Sequence, residues 1–161
     1  MLGPGVIFRQ VRAGRDGVPF AVLKLRSLRH GPGDDAARLT RFGHWLRASA
    51  LDEVPQLLNV LRGEMALVGP RPLPLAYIPL YTAREATRLR VRPGLCGLAQ
   101  AAGRNALAWD ARLELDARYV ETRSLRGDLA LLARCALVVL RGLGVAAPGH
   151  ATMPAVTEER G

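Results

Sequence analysis

The chain opens with two short apolar runs, Val6-Ile7-Phe8 and Phe20-Ala21-Val22-Leu23. They flank the turn-forming stretch Ala13-Gly14-Arg15-Asp16-Gly17, and together they predict a β-hairpin. On its second strand, period two places Ala21, Leu23 and Leu25 on one face and Val22, Lys24 and Arg26 on the other. Two cations sharing a strand face form either a solvated surface or a wall against a phosphate. After the Gly/Pro/Asp loop of 30–35 the spacing changes to three and four. Leu39, Phe42 and Leu46 predict a helix over 36–47. Leu51, Val54, Leu57, Leu58 and Leu61 form a second helical stripe, stopped by Gly63. Pro55 belongs in the first turn of that helix, where its missing N–H has no partner to lose, so Asp52 and Glu53 fall at or just before the helix N-terminus.

Farther along, the prolines of Val68-Gly-Pro-Arg-Pro-Leu-Pro74 predict a stiff extended loop that presents Arg71. Thr82-Ala-Arg-Glu85 is a capping box opening a short helix that ends before Pro93. The segment 88–104 reads as a loop carrying Arg88, Arg90, Arg92 and Arg104 with Gly94, Gly97 and Gly103. Two helices follow. One spans 109–121, with Leu113, Asp116, Tyr119 and Val120 at helical spacing. The other, over 128–141, is amphipathic and capped by Ser124 or by Asp128 itself, and it lies either in the core or on a bilayer. The fold class expected is α+β: a short N-terminal hairpin packed with several short helices and long ordered loops. One domain is expected over 1–150, followed by an irregular tail over 151–161; no repeat or linker divides it.

Composition narrows the function classes. A chain of 161 residues that is 49% hydrophobic supports one modest core and is not disordered by composition. The most apolar stretch, 128–147, is interrupted by Arg134 and Arg141, and Arg9 and Arg12 interrupt the first apolar residues. Neither a spanning helix nor a secretory signal is therefore expected. Two cysteines, Cys96 and Cys135, are too few for a disulfide scaffold or a Cys-rich zinc site, and a reduced cytoplasmic setting is the default. The net charge of +9 rests on arginine, since Lys24 is the sole lysine. Arginine suits bidentate phosphate binding. A pI near 11.1 predicts attraction to phosphates, anionic lipid or nucleic acid without choosing among them.

Asp52-Glu53 is the pair with the most chemistry to offer. Two carboxylates at the positive end of a helix stay ionised more easily. They can share a hard cation such as Mg²⁺, which uses one or two carboxylates plus substrate phosphates, or one of them can act as a nucleophile through an aspartyl-phosphate. A plain N-cap with an acidic first turn also explains the pair. Arginines 71, 88, 90, 92 and 104, with Lys24, Arg26 and Arg47, supply the cations that a pyrophosphate site would need. His30, His44 and His150 follow no zinc-ligand spacing, and Cys96 has no evident base. The aromatic residues do not interleave with basic ones as on a single-strand nucleic-acid platform, so nucleic acid is not an expected partner.

The ordered runs Arg41-Phe-Gly-His-Trp-Leu-Arg47, Leu51-Asp-Glu-Val-Pro-Gln-Leu-Leu-Asn-Val-Leu-Arg-Gly-Glu-Met65 and Val68-Gly-Pro-Arg-Pro72 resemble the bacterial sugar transferase family, monotopic polyprenyl-phosphate phosphoglycosyl transferases. Val91-Arg-Pro-Gly94, Gly97-Leu-Ala-Gln100, Gly103-Arg-Asn105, Trp109 and Leu115-Asp116 continue the likeness, which covers about residues 5–150. The resemblance implies transfer of a sugar 1-phosphate from a UDP-sugar to a polyprenyl phosphate, releasing UMP, at the cytoplasmic face of the bacterial inner membrane. It implies Asp52 as nucleophile, Glu53 helping to hold Mg²⁺, and Arg47 near the lipid phosphate. It implies Arg71, Arg92, Gln100, Arg104 and Asp116 near the nucleotide-sugar. Family members usually carry an apolar re-entrant helix ahead of the Gly-Pro-Val-Ile-Phe-like region at which this sequence starts. The expectation is thus a catalytic domain held on an anionic membrane surface by basic charge and amphipathic helices. Ala50 and Cys96 stand where the family commonly has serine and threonine.

Overall fold

The computed structural model describes residues 5–33, 35–103, 107–141 and 156. The hairpin forms as the alternation requires. β1 (Ile7–Ala13) pairs antiparallel with β2 (Pro19–Leu25), with Phe8 opposite Lys24, through a tight turn in which Asp16 adopts a positive φ of 56°. Val22 and Phe20 of β2 pack with Met65 into one small core.

The helix expected over 36–47 is two helices, α1 (Asp35–Arg38) and α2 (Arg41–Ala48). Leu39 bridges to Leu28, and the Thr40 hydroxyl accepts the Gly43 N–H at 2.8 Å, so a cap interrupts the periodic run. Gly43 is required there, since a Cβ would lie 1.9 Å from the Ser27 carbonyl oxygen. The next helix also differs from its expected form. Leu51–Glu53 is a 3-10 turn, and α3 (Gln56–Leu61) begins after Pro55, which caps it. Its orientation is inverted with respect to a helix on a soluble core. Gln56 and Asn59 are buried, while Leu51, Val54, Leu57, Leu58 and Leu61 are exposed. Asn59 justifies its burial with hydrogen bonds: its amide oxygen accepts Leu23 N–H, and its amide nitrogen donates to Ala21 O and Glu64 Oε2.

Two strands arise where loops are expected. β3 (Ala66–Val68) runs parallel to β4 (Gly94–Cys96), pairing Ala66 with Gly94 and Val68 with Cys96. Three residues are too few to show a period, so this pair carries no pattern in the sequence. A Cβ on Gly94 would sit 2.1 Å from the Gly69 nitrogen, so only glycine permits the approach. The 88–104 segment also contains α4 (Leu98–Ala102). The capping box forms: Thr82 N–H donates to Glu85 Oε2 and Glu85 N–H to Thr82 Oγ1, but the segment it opens, Glu85–Arg90, is 3-10.

α5 (Trp109–Thr122) and α6 (Leu125–Leu140) close the second core. Ser124 caps α6 by accepting Gly127 N–H, so α6 starts ahead of Asp128. Leu131 and Cys135 of α6 pack with Val68, Val91, Ala101 and Tyr119, while Leu125, Leu129, Leu137 and Leu140 face outward. Of the two placements open to this helix, packing in the core holds for one face, and the other face is exposed. The fold is α+β, a hairpin and a parallel pair wrapped by short helices. Among the described residues, no helix is long and apolar enough to cross a membrane.

Candidate active site

The site is built around the Leu51–Glu53 turn. Ala50, which precedes it, has φ 56° and ψ 14°, a left-handed conformation that L-residues adopt at a cost of about 1–2 kcal/mol. That reversal ends α2 and turns both acidic side chains inward. Asp52 is only 7% exposed.

Three elements bring cations to the pair. From β2, Lys24 Nζ donates to Glu53 Oε1 at 2.8 Å. From the Pro70-Arg71-Pro72 segment, Arg71 engages both oxygens of Glu53, with NH1 at 3.3 Å from Oε2 and NH2 in contact with Oε1. Arg71 is fixed because its flanks are pinned to β4: Gly69 N–H donates to Cys96 O at 2.7 Å, and Gly94 N–H to Pro70 O at 2.9 Å. From α2, Arg47 is held by Nε donating to Ser27 Oγ at 2.9 Å, and its charge acts on Asp52.

The two carboxylates are in opposite electrostatic states. Burial pushes Glu53 up, but Arg71 and Lys24 outweigh it and hold the group well below its ordinary 4.5. Asp52 is raised above its ordinary 3.8, chiefly by burial and also by Glu53, against the pull of Lys24, Arg71 and Arg47. Its carboxylate accepts no hydrogen bond from any described residue. Burial lowers Lys24 despite Glu53, whereas Arg71 is raised chiefly by Glu53.

A cavity of about 220 Å³ opens beside the pair, lined by Glu53, Arg71, Gln100 and apolar side chains of α3, β4 and α6. Gln100 Nε2 donates to Leu95 O at 3.4 Å. The remaining residues expected near substrate are placed elsewhere. Arg26 donates to Gly5 O at 3.0 Å and lies over the Phe8 ring, so it diverges from Lys24. Arg92 is exposed beside Gly63. Asp116 is 3% exposed and receives Arg88 Nε at 3.1 Å and NH2 at 2.9 Å. Arg104 and His150 lie outside the described residues.

Arg88 is the residue that sequence reasoning underused. It also donates to the Arg71 carbonyl at 2.5 Å and to Tyr81 Oη at 3.0 Å, so the Asp116–Arg88 pair braces the loop that carries Arg71. The signal available was its position one helical turn past Glu85 of the capping box. Among the described residues, no group of three His, Cys, Asp or Glu side chains could hold a metal ion.

Comparison with known proteins gives the family. Residues 2–142 match the family described as Bacterial sugar transferase. The chain is 44% identical over 157 residues to the uncharacterized sugar transferase EpsL of Bacillus subtilis, covering 94% of this chain and 78% of that protein. It is 45% identical over 150 residues to a Caulobacter vibrioides protein named UDP-glucose:undecaprenyl-phosphate glucose-1-phosphate transferase, covering 82% of this chain and 55% of that one. A UDP-galactose-lipid carrier transferase of Erwinia amylovora is 38% identical over 162 residues, with 86% of this chain covered and 34% of the relative. The chain therefore spans only part of these longer relatives. With the motif order, the dyad turn and a match across nearly the whole sequence, this chain belongs to the bacterial sugar transferase family.

Proposed function

We propose that this protein transfers a sugar 1-phosphate from a UDP-sugar to a polyprenyl phosphate, releasing UMP, as the first membrane step of glycan assembly. The observation that carries the reading is Asp52, a nearly buried carboxylate with no hydrogen-bond partner among the described residues, set in a wall of cations. A structural cap would spend its oxygens on backbone N–H groups; a nucleophile must keep them free. The names of the Caulobacter and Erwinia relatives support the same substrate classes.

The reaction divides into two displacements. Asp52 Oδ attacks the sugar-side phosphorus, the bond from that phosphorus to the bridging oxygen breaks, and UMP leaves with the electron pair. An oxygen of the lipid phosphate then attacks the same phosphorus, and the bond to Asp52 breaks, restoring its carboxylate. Each step moves negative charge on phosphate oxygens, and Arg71, Lys24 and Arg47 are the preorganised positive groups near it. Two adjacent carboxylates, with no third such donor grouped with them among the described residues, fit Mg²⁺, which completes its shell with substrate phosphates; Asp52 and Glu53 would hold it, and it would supply charge neutralisation on the diphosphate.

The outward apolar residues of α2, α3 and α6, on a chain of net charge +9, support attachment to an anionic membrane surface on the cytoplasmic side. The test is UMP release from a panel of UDP-sugars, with mass spectrometry of the protein. A phosphosugar adduct on the peptide containing Asp52, lost in Asp52→Asn, is the expected result. Full turnover by Asp52→Asn would remove the nucleophile and the mechanism with it.

A further inference from the structure

The cavity beside Glu53 has walls of nearly one chemistry. Val54 just ahead of α3, Leu57 of α3, Val138 and Val139 of α6, Leu95 and the two cysteines line it, and its polar liners are Glu53, Arg71 and Gln100. Glu53 is already satisfied by Lys24 and Arg71. Gln100 spends one amide N–H on Leu95 O, and its amide oxygen is buried without a hydrogen-bond partner among the described residues. A guest bearing several hydroxyls would find at most the Gln100 amide oxygen free to accept one of them, and each further hydroxyl desolvated against these walls would be unfavourable. An apolar guest meets no such cost, provided that its anionic end reaches the cations.

The exposure of two lining residues points the same way. Val54 and Leu57 line it and are also half exposed on the row that carries Leu51, Leu58 and Leu61. The cavity thus shares two residues with the apolar face, and it is also lined by Glu53 and Arg71, beside the proposed nucleophile.

We propose that this cavity binds the phosphate-proximal isoprene units of the lipid acceptor. The acceptor's phosphate lies against Arg71 and Lys24, and the rest of the chain leaves past Val54 and Leu57 over the apolar face. This rests on the lipid-acceptor reading above and adds which part of the acceptor sits where: the UDP-sugar must approach Asp52 from outside these walls.

Two measurements decide it. Cys96 lines the cavity and is partly exposed, so it reports occupancy without any substitution. Saturating farnesyl phosphate should slow maleimide alkylation of Cys96 by about tenfold, whereas inorganic phosphate and the UDP-sugar should not. Equal alkylation rates with and without farnesyl phosphate would overturn the assignment, and so would protection by the UDP-sugar. In the second measurement, Leu57→Trp, a change at a half-exposed position that the fold tolerates, fills the cavity. KM for farnesyl phosphate should rise about tenfold, more than the acceptor-independent UMP burst falls. Parallel losses in both would place the UDP-sugar in the cavity instead. A wild-type chain that releases no UMP from any UDP-sugar sinks the transferase reading itself, and the alkylation result then decides the cavity's occupant alone.

Discussion

Asp52 and Glu53 are sequence neighbours whose environments push them apart. Asp52 is raised by burial, so the rate should fall as pH drops through a midpoint above the ordinary carboxylate value of 3.8. Glu53, held below its ordinary 4.5, stays ionised across that range and adds no limb of its own. Lys24 pulls Asp52 down, so Lys24→Met should move the acid limb to higher pH, as read from the pH dependence of UMP release. The linkage signs are opposite. Glu53's depressed value stabilises the fold above its unfolded pKa, and that contribution fades as pH falls through the folded value. Asp52's raised value makes its charged form a cost at neutral pH. Asp52→Asn should therefore lower turnover by about 10³-fold or more while raising the denaturant midpoint at pH 7. Ala50 is the other residue under tension. Its left-handed conformation disfavours a β-branched side chain, and Ala50→Val should cost about 1–2 kcal/mol in chemical denaturation.

Short elements hold this site through a few long-range contacts. The Asp116–Arg88 pair is buried, and Arg88 links α5 to the backbone of the Arg71 loop. Removing one partner of a buried ion pair leaves an uncompensated charge, so Asp116→Ala should destabilise by about 3–5 kcal/mol in equilibrium unfolding. A loss of turnover without loss of stability would instead place Asp116 against substrate. The elements also show how far sequence pattern reaches. The capping box and the acidic turn were legible because each is set by close neighbours, and the hairpin because a five-residue connection joins two adjacent alternating runs. The β3–β4 pair was not, since three-residue strands carry no period. The helix over 36–47 was split by Thr40, whose hydroxyl offers the backbone a cap that a count of apolar positions ignores.

Taken together, the exposed apolar residues of α2, α3 and α6 and the excess of arginine make a surface suited to lipid. Phe42 and Trp45 stack with ring centroids 5.9 Å apart on the outside of α2, and Leu58 and Leu61 project from α3. Trp45 emission should shift to the blue on vesicles containing anionic lipid, with affinity falling as salt rises. The double change Leu58→Glu and Leu61→Glu should weaken vesicle binding by at least about tenfold. Both side chains point away from the cores, so the denaturant midpoint should move little.

The amino-acid order alone determined the local arrangement: an acidic pair ahead of a helix, an arginine stiffened between prolines, a hairpin with a lysine on its second strand. These follow from backbone restrictions and short-range spacing, which act before any long-range contact forms. The folded structure decided which side of each amphipathic helix turns inward, that Lys24 and Arg71 bond Glu53 while no described residue bonds the Asp52 carboxylate, and that Asp116 pairs with Arg88. A helical stripe has the same period whether it meets a protein core or a lipid surface, so its direction is set only by the packing of the rest of the chain. Ion pairs between residues 18 to 29 apart depend on which loops close, and the sequence pattern holds no record of that.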